Sequence, residues 1–358
     1  MIEKNINKYV GKMDLSIVEA MQIIDENAHG ILFIADEEKK LLGSLTDGDI
    51  RRWLIKTGDL NAKVMHVMND HPKSLSKQDA HDAMEYMKKY SITSVPIVDE
   101  NNMIIDVIYN REQQLEKNVA KKDALKDTPV IIMAGGKGTR LYPYTKILPK
   151  PLIPIGDIPI IERIINKFCE YGVSKFHITV NYKKGMIRSY FNDLEPQYEI
   201  EYVEEDKPLG TAGSIKLIEE KFNAPIIVTN CDSLINTDYD RVLEYHKESD
   251  NAITIVSALK KIVVPYGVLH TSQNGIVDKL EEKPQLSYFI NTGMYVVNPE
   301  YIDYIPKEQM FHMTDLIDKL MKDGKQIGMY PVSEDTFLDM GEFEEMKRME
   351  EKLHFLED

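Results

Sequence analysis

Apolar and polar positions follow two different rhythms along this chain, and the change falls near residue 129. In the first third the pattern repeats. Ala20-Met21 recurs as Ala83-Met84, Ile34 as Ile97, and Asp36-Glu37 as Asp99-Glu100, each pair 63 residues apart. Both copies read as an amphipathic helix, a short apolar strand, an acidic turn, a second strand and a further helix. For the first copy this predicts a helix over 16–25, strands over 31–35 and 41–45, and a helix over 47–56. For the second it predicts a helix over 77–90 and strands over 95–98 and 103–108. A unit of roughly 60 residues is too long for a solenoid and suits two small α/β modules packed as a pair.

The charged stretch 111–128 has no strand pattern and predicts a helical connector over 113–125. After Pro129 strands and helices alternate: strands over 130–133, 176–180, 200–203 and 226–229, helices over 160–171, 184–191 and 212–221, and a last helix over 343–355. This alternation predicts an α/β fold with a Rossmann-like, mostly parallel sheet and helices on both faces. A length of 358 residues is long for one domain. The expected division is 1–121 for the repeat and 127–358 for the α/β domain.

Charge narrows the partners. The net charge is −15, from 44 basic and 59 acidic residues, which argues against general nucleic-acid or anionic-membrane binding. No apolar run approaches membrane-spanning length, and MIEKNINKYVGK lacks the apolar core of a signal peptide. A cytoplasmic protein is expected. Cys169 and Cys231, both in apolar surroundings, read as reduced and buried.

Against that acidic background, one segment reverses sign. The apolar strand Val130-Ile131-Ile132-Met133 runs into Ala134-Gly135-Gly136-Lys137-Gly138-Thr139-Arg140-Leu141, then Leu148-Pro149-Lys150-Pro151. Glycines at a strand end let backbone N–H groups approach an anion closely. Lys137, Arg140, Lys146 and Lys150 add four cations within fourteen residues, so the expected guest is a polyphosphate. A P-loop is excluded because Gly138, not Ser or Thr, follows Lys137. The dinucleotide fingerprint is excluded because Leu141 stands where its third glycine belongs. Asp232 and Asp339 each end a β-like segment, where ligands of parallel sheets gather.

The two basic segments resemble the signature of sugar-1-phosphate nucleotidylyltransferases, and the resemblance covers about residues 129 to 345. It implies that Ala134, Gly135, Gly136, Gly138, Thr139 and Gly210 hold a nucleoside triphosphate. Arg140 would steady the leaving pyrophosphate, and Lys150 would draw the two phosphates together. Matching aspartates in the family jointly bind Mg²⁺, here Asp232 and Asp339, although Cys231 stands where Gly is usual. Gly267, Glu282, Lys283, Asn291 and Thr292 match the positions that bind the sugar 1-phosphate. Glu204 and Glu205 precede the base-side loop Pro208-Leu209-Gly210-Thr211-Ala212-Gly213. A carboxylate can accept from both N1–H and N2–H₂ of guanine. Relatives that prefer uridine or thymidine tend to carry Gln at the place of Glu205, so GTP is the favoured substrate.

The repeat resembles tandem CBS domains, which commonly bind adenine nucleotides and regulate an attached enzyme. Gly43 to Arg52 matches their nucleotide motif, with Thr46 and Asp49 at the phosphate and ribose positions. Tyr109 and Glu112 break the motif in the second copy, which predicts one dominant regulatory nucleotide site. The alternative for Thr46 and Asp49 is that they only cap the following helix. The combination of both parts resembles the glucosamine-1-phosphate guanylyltransferases of bacterial legionaminic acid biosynthesis. Mannose or glucose 1-phosphate remains open as the sugar, as does a nucleotide-sensing regulator without activity. A homo-oligomer is the expected assembly.

Overall fold

The 63-residue repeat folds twice into one three-stranded plan. β1 (Val10–Lys12) runs parallel to β2 (Ile31–Ala35), which is antiparallel to β3 (Leu41–Thr46). β4 (Leu75–Ser76), β5 (Ser94–Val98) and β6 (Ile104–Tyr109) repeat these pairings. Even the irregularities recur. The register shifts between Ile34 and Ala35 in one copy and between Ile97 and Val98 in the other. Asp36 accepts from the Glu38 and Lys40 N–H groups, and Asp99 accepts from those of Asn101 and Met103. The two turns then join: Leu41 N–H donates to Asn102 O at 2.9 Å, and Asn102 Nδ2 donates to Leu41 O at 2.9 Å.

The computed structural model describes residues 6–27, 30–109, 122–341, 345–347 and 349. It forms two units, Met1–Ala120 with Leu259–Tyr288, and Lys121–Ala258 with Phe289–Asp358. The second unit is built on a seven-stranded sheet. Its strands are β7 (Val130–Met133), β10 (Lys175–Val180), β11 (Glu199–Glu204), β12 (Ile226–Asn230), β14 (Ile253–Val263), β17 (Gln285–Val297) and β18 (Ile327–Val332). The short pair β8 (Pro154–Ile155) and β9 (Ile158–Pro159) lies outside it, as does β13 (Ser233–Ile235) with β19 (Phe337–Asp339). The order is β11-β10-β7-β12-β17-β14-β18; β17 is antiparallel to β12, while β10 runs parallel to β11 and β7, β12 to β7, and β14 to β18. The expected mostly parallel α/β sheet is present.

Burial on both faces explains the near-continuous apolar runs. Val130 and Ile132 pack with the helix Ile160–Cys169 in one core, while Ile131 and Met133 pack with the helix Met313–Lys322 in the other. Residues 259–263 of β14 and 285–288 of β17 belong to the first unit. There they carry the hairpin of β15 (Val268–Thr271) and β16 (Val277–Glu281).

Three helix expectations need correction. The predicted 212–221 helix is only a turn, Gly210–Gly213, followed by the 3₁₀ segment Ser214–Leu217. Ala212 and Gly213 both donate to Phe311 O, at 2.9 and 3.0 Å, so distant backbone replaces the helix's own acceptors. In place of a single 77–90 helix, a 3₁₀ turn Asp79–Asp82 precedes the helix Ala83–Tyr90. Residues 122–127 are turns, with Leu125 N–H bound to Tyr171 O. The rest of the predicted connector, Glu112, and most of the predicted 343–355 helix lie outside the described residues. Cys231 is buried but Cys169 only half-buried, and both are free thiols.

Candidate active site

Strand β7 delivers its glycine loop to the carboxyl end of the sheet. Ala134 N–H bonds to Thr179 O at 3.0 Å, holding the loop's first residue against β10. Gly135 then passes beside Glu205: a Cβ there would lie 2.8 Å from Glu205 Oε1. Gly136 faces open space. Gly138 takes φ 63°, and a side chain would meet Lys150 Cβ and Thr145 Cγ2 at 2.9 Å each. Thr145 Oγ1 donates to Gly138 O at 2.8 Å and fixes that turn. A cleft of about 450 Å³ opens over the loop. It is lined by Gly135, Gly136, Gly138, Thr139, Arg140, Lys150, Glu205, Gly210 and Asp232, among others. These expected residues therefore converge from four separate stretches of chain.

The acidic corner has an oxygen-only donor set. β13 pairs antiparallel with β19, setting Ser233 opposite Asp339. Ser233 Oγ lies 3.3 Å from Asp232 Oδ1 and 3.3 Å from Asp339 Oδ1. Met340 N–H donates to Asp232 O at 2.9 Å and closes the corner. Lys150 is buried and donates from Nζ to Asp232 Oδ2 at 2.5 Å. Burial and the neighbouring Asp232 charge push the Asp339 carboxyl up to about 6. Two carboxylates that repel one another beside a single lysine form a site short of positive charge. Gly341 lies hard against Asp339: a Cβ there would fall 2.7 Å from Asp339 Oδ2, and 3.5 Å from Arg140 Nη1.

The two neighbouring glutamates separate cleanly. Glu204 is exposed and pairs with Lys184 at 2.5 Å and with Arg188. Its carboxyl is held low, first by the Lys184 hydrogen bond. Glu205 is buried; its Oε2 accepts from Leu209 N–H at 3.1 Å, and its carboxyl is pushed up by burial. Glu205, not Glu204, lines the cleft.

The nucleotidyl transferase family profile matches residues 129–354, and the CBS domain profile matches 12–56 and 64–112. This chain belongs to the nucleotidyl transferase family. The chain is 34% identical over 232 residues to a UTP–glucose-1-phosphate uridylyltransferase of Synechocystis sp., covering 59% of each chain. It is 35% identical over 184 residues to a mannose-1-phosphate guanyltransferase of Debaryomyces hansenii, covering 49% of this chain and 51% of that one. The chain thus spans little more than half the length of these curated relatives. The crystal structure of HddC from Yersinia pseudotuberculosis aligns with TM-score 0.50 and 28% identity, over 63% of this chain and 99% of that one.

Other expected residues of the transferase are placed differently. Asn291 and Thr292 lie on β17, and their polar groups serve the protein itself. Asn291 Nδ2 donates to the Tyr295 hydroxyl at 2.7 Å, and Thr292 Oγ1 donates to Val256 O at 2.7 Å. Gly267, Glu282 and Lys283 belong to the first unit, on the β15–β16 hairpin and its exit. There a Cβ at 267 would sit 3.1 Å from Glu282 Oε2, and Lys283 adopts φ 46°. Thr46 and Asp49 cap a helix, Asp47–Thr57: Thr46 Oγ1 donates to Asp49 Oδ2 at 2.6 Å, and Asp49 Oδ1 meets Arg52 Nη2 at 2.5 Å. A separate cavity of about 420 Å³ in the same unit is lined by Asp70, His71, Lys73, Tyr86 and Asn102, among others.

Three cleft residues escaped sequence reasoning: Thr179, Asn230 and His312. Asn230 explains Gly293, where any Cβ would fall 2.3 Å from Asn230 Nδ2. His312 caps the helix Met313–Lys322 through a reciprocal pairing with Asp315. A His before an apolar helix with Asp three residues on was the available signal.

Proposed function

We propose that this chain transfers a nucleotidyl group from a nucleoside triphosphate, GTP by preference, to a sugar 1-phosphate. The product is a nucleotide sugar, with pyrophosphate released. The convergence of the glycine loop, Arg140, Lys150 and Asp232 on one cleft carries this reading. The sugar-phosphate oxygen attacks the α-phosphorus in line as the pyrophosphate leaves, and the attacking group is already anionic. The protein's task is then positioning and charge stabilisation. Backbone N–H groups of residues 135–139 cradle the phosphates, Arg140 holds the departing pyrophosphate, and Lys150 bridges the α-phosphate and the sugar phosphate. Asp232 and Asp339 offer hard oxygen donors of the kind magnesium selects, and they would hold it. When bound, Mg²⁺ supplies the positive charge that offsets the phosphoryl oxygens.

Guanine is favoured by Glu205. Its carboxylate is buried, with one oxygen beside Gly135 at the cleft wall. A desolvated carboxylate gains most from a base that presents two donors, as N1–H and N2–H₂ of guanine do. The similarity to a mannose-1-phosphate guanyltransferase supports the same base and keeps mannose 1-phosphate as a second sugar. Glucosamine 1-phosphate is the leading sugar because a CBS pair precedes the transferase segment, with legionaminic acid biosynthesis as the pathway. A regulatory nucleotide on the CBS pair completes the proposal. The test is a matrix of nucleoside triphosphates against sugar 1-phosphates, read by pyrophosphate release with Mg²⁺. GTP with glucosamine 1-phosphate should give the highest kcat/KM. No release with any pair would refute the activity, and a UTP maximum would refute the base assignment.

A further inference from the structure

A second group of ligand-type side chains lies on β10 and β11, away from the acidic corner. Lys175 and His177 are two residues apart on β10 and share a face. The register sets Glu199 opposite Lys175 and Glu201 opposite His177. Glu220, between the 3₁₀ segment Ser214–Leu217 and β12, closes the group. His177 is 2% exposed, and its Nδ1 is buried with no hydrogen-bond partner, 3.6 Å from Glu201 Oε2. Its Nε2 lies 3.5 Å from Glu220 Oε2. Phe222 presents an edge contact to the imidazole, with ring centres 5.4 Å apart.

Lys175 places Nζ 2.6 Å from Glu220 Oε2 and 3.3 Å from Glu201 Oε2. The ammonium accounts for both carboxylates but leaves the buried imidazole nitrogen unused. An unmade hydrogen bond inside a protein is costly and calls for a partner. Burial also pushes the imidazole pKa below its ordinary value, which favours the neutral form that binds metal.

We infer that His177, Glu201 and Glu220 form a second cation site, selective for a zinc-class divalent ion, with Lys175 as its stand-in when the ion is absent. One ligand atom from each residue lies within 4.8 Å of the others. Zinc bonds of about 2.0–2.2 Å put tetrahedral ligand atoms roughly 3.3–3.6 Å apart, so only small movements are needed. Whichever nitrogen binds, one observed nitrogen–oxygen separation is already in that range. An imidazole with two carboxylates suits zinc better than magnesium, which prefers oxygen alone. The Lys175 side chain is 40% exposed and can withdraw into water. A bound ion would fasten the edge of the sheet to the segment before β12.

Calorimetric titration of the chelator-treated full-length protein with ZnSO₄ tests this, in an Asp232→Asn/Asp339→Asn background that removes the acidic corner. One equivalent of zinc should bind there. Glu201→Gln/Glu220→Gln should weaken it at least about tenfold, whereas Lys175→Met should tighten it about tenfold by removing the competing cation. Cobalt(II) should give a visible absorption band of nitrogen and oxygen coordination that His177→Gln abolishes. Both glutamates are partly exposed, so their variants keep the test informative if His177→Gln fails to fold. Absence of zinc binding in the background protein would overturn the inference. So would binding that the glutamate substitutions leave unchanged, which would mark an adventitious surface ion.

Discussion

Two places in the α/β unit set a lysine against a pair of carboxylates, and they behave in opposite ways. At Asp232 and Asp339 the lysine is buried, and crowding raises the Asp339 carboxyl to about 6. At Glu201 and Glu220 the lysine is 40% exposed, and its hydrogen bond lowers the Glu220 carboxyl. The same three groups therefore push one carboxyl up in the buried setting and hold one down in the exposed setting. Burial, not composition, decides whether a carboxyl beside a lysine is raised or lowered.

The largest effect expected from breaking this contrast is at Asp232. Asp232→Asn should cut kcat by about a thousandfold, because a neutral amide is a poor ligand for magnesium and a poor partner for Lys150. Single-turnover assays at saturating Mg²⁺ would measure it, and near-normal turnover would remove Asp232 from the site.

Next comes the buried glutamate of the cleft. Glu205→Gln should lower the preference for GTP over UTP by about tenfold to a hundredfold, through loss of a charge-assisted hydrogen bond. Glu204→Gln should leave the preference alone, since Glu204 faces Lys184 and Arg188. Competition assays with both triphosphates would separate the two.

A third expectation concerns pH. Folding raises the Asp339 carboxyl above its unfolded value. The stability this group contributes is full below that unfolded value and is lost as pH rises through about 6. Asp339→Asn should therefore raise the metal-free melting temperature at pH 7.5, by roughly 2–4 °C, and change it little near pH 4. Calorimetric scans at both pH values would show the sign.

The smallest effect is at the exposed pair. Lys175→Met should change metal-free stability by only about 0–1 kcal/mol, and turnover by less than about twofold. Urea titration and the pyrophosphate assay would detect anything larger.

How much of this was legible follows from range. The glycine loop, Arg140 and Lys150 lie within a short stretch, and Cβ-free backbone beside a strand end has a local signature. The duplicated turns at Asp36 and Asp99 were legible for the same reason. Glu205 stands apart from Glu204 only through the resemblance, because the physical difference depends on Gly135 approaching from another strand. The 212–221 segment reads as helical by its own pattern, yet Phe311 O captures its N–H groups. The distance between Asp232 and Asp339 was equally hidden, since it rests on a strand pairing across more than a hundred residues.

The alternation of β7 between two cores has a consequence for how this chain can vary. Val130 and Ile132 serve one core, Ile131 and Met133 the other, and Ala134 begins the loop in phase with them. Substituting any one of them damages a single contact surface. Inserting or deleting one residue within β7 would shift the phase, exchange the two surfaces and turn the first loop glycine away from Glu205 at once. Lineages carrying this loop should therefore tolerate exchanges among Val, Ile and Met here while admitting no change in length between Pro129 and Gly135. A scan of single-codon deletions scored by solubility would place the sharpest drop in that window.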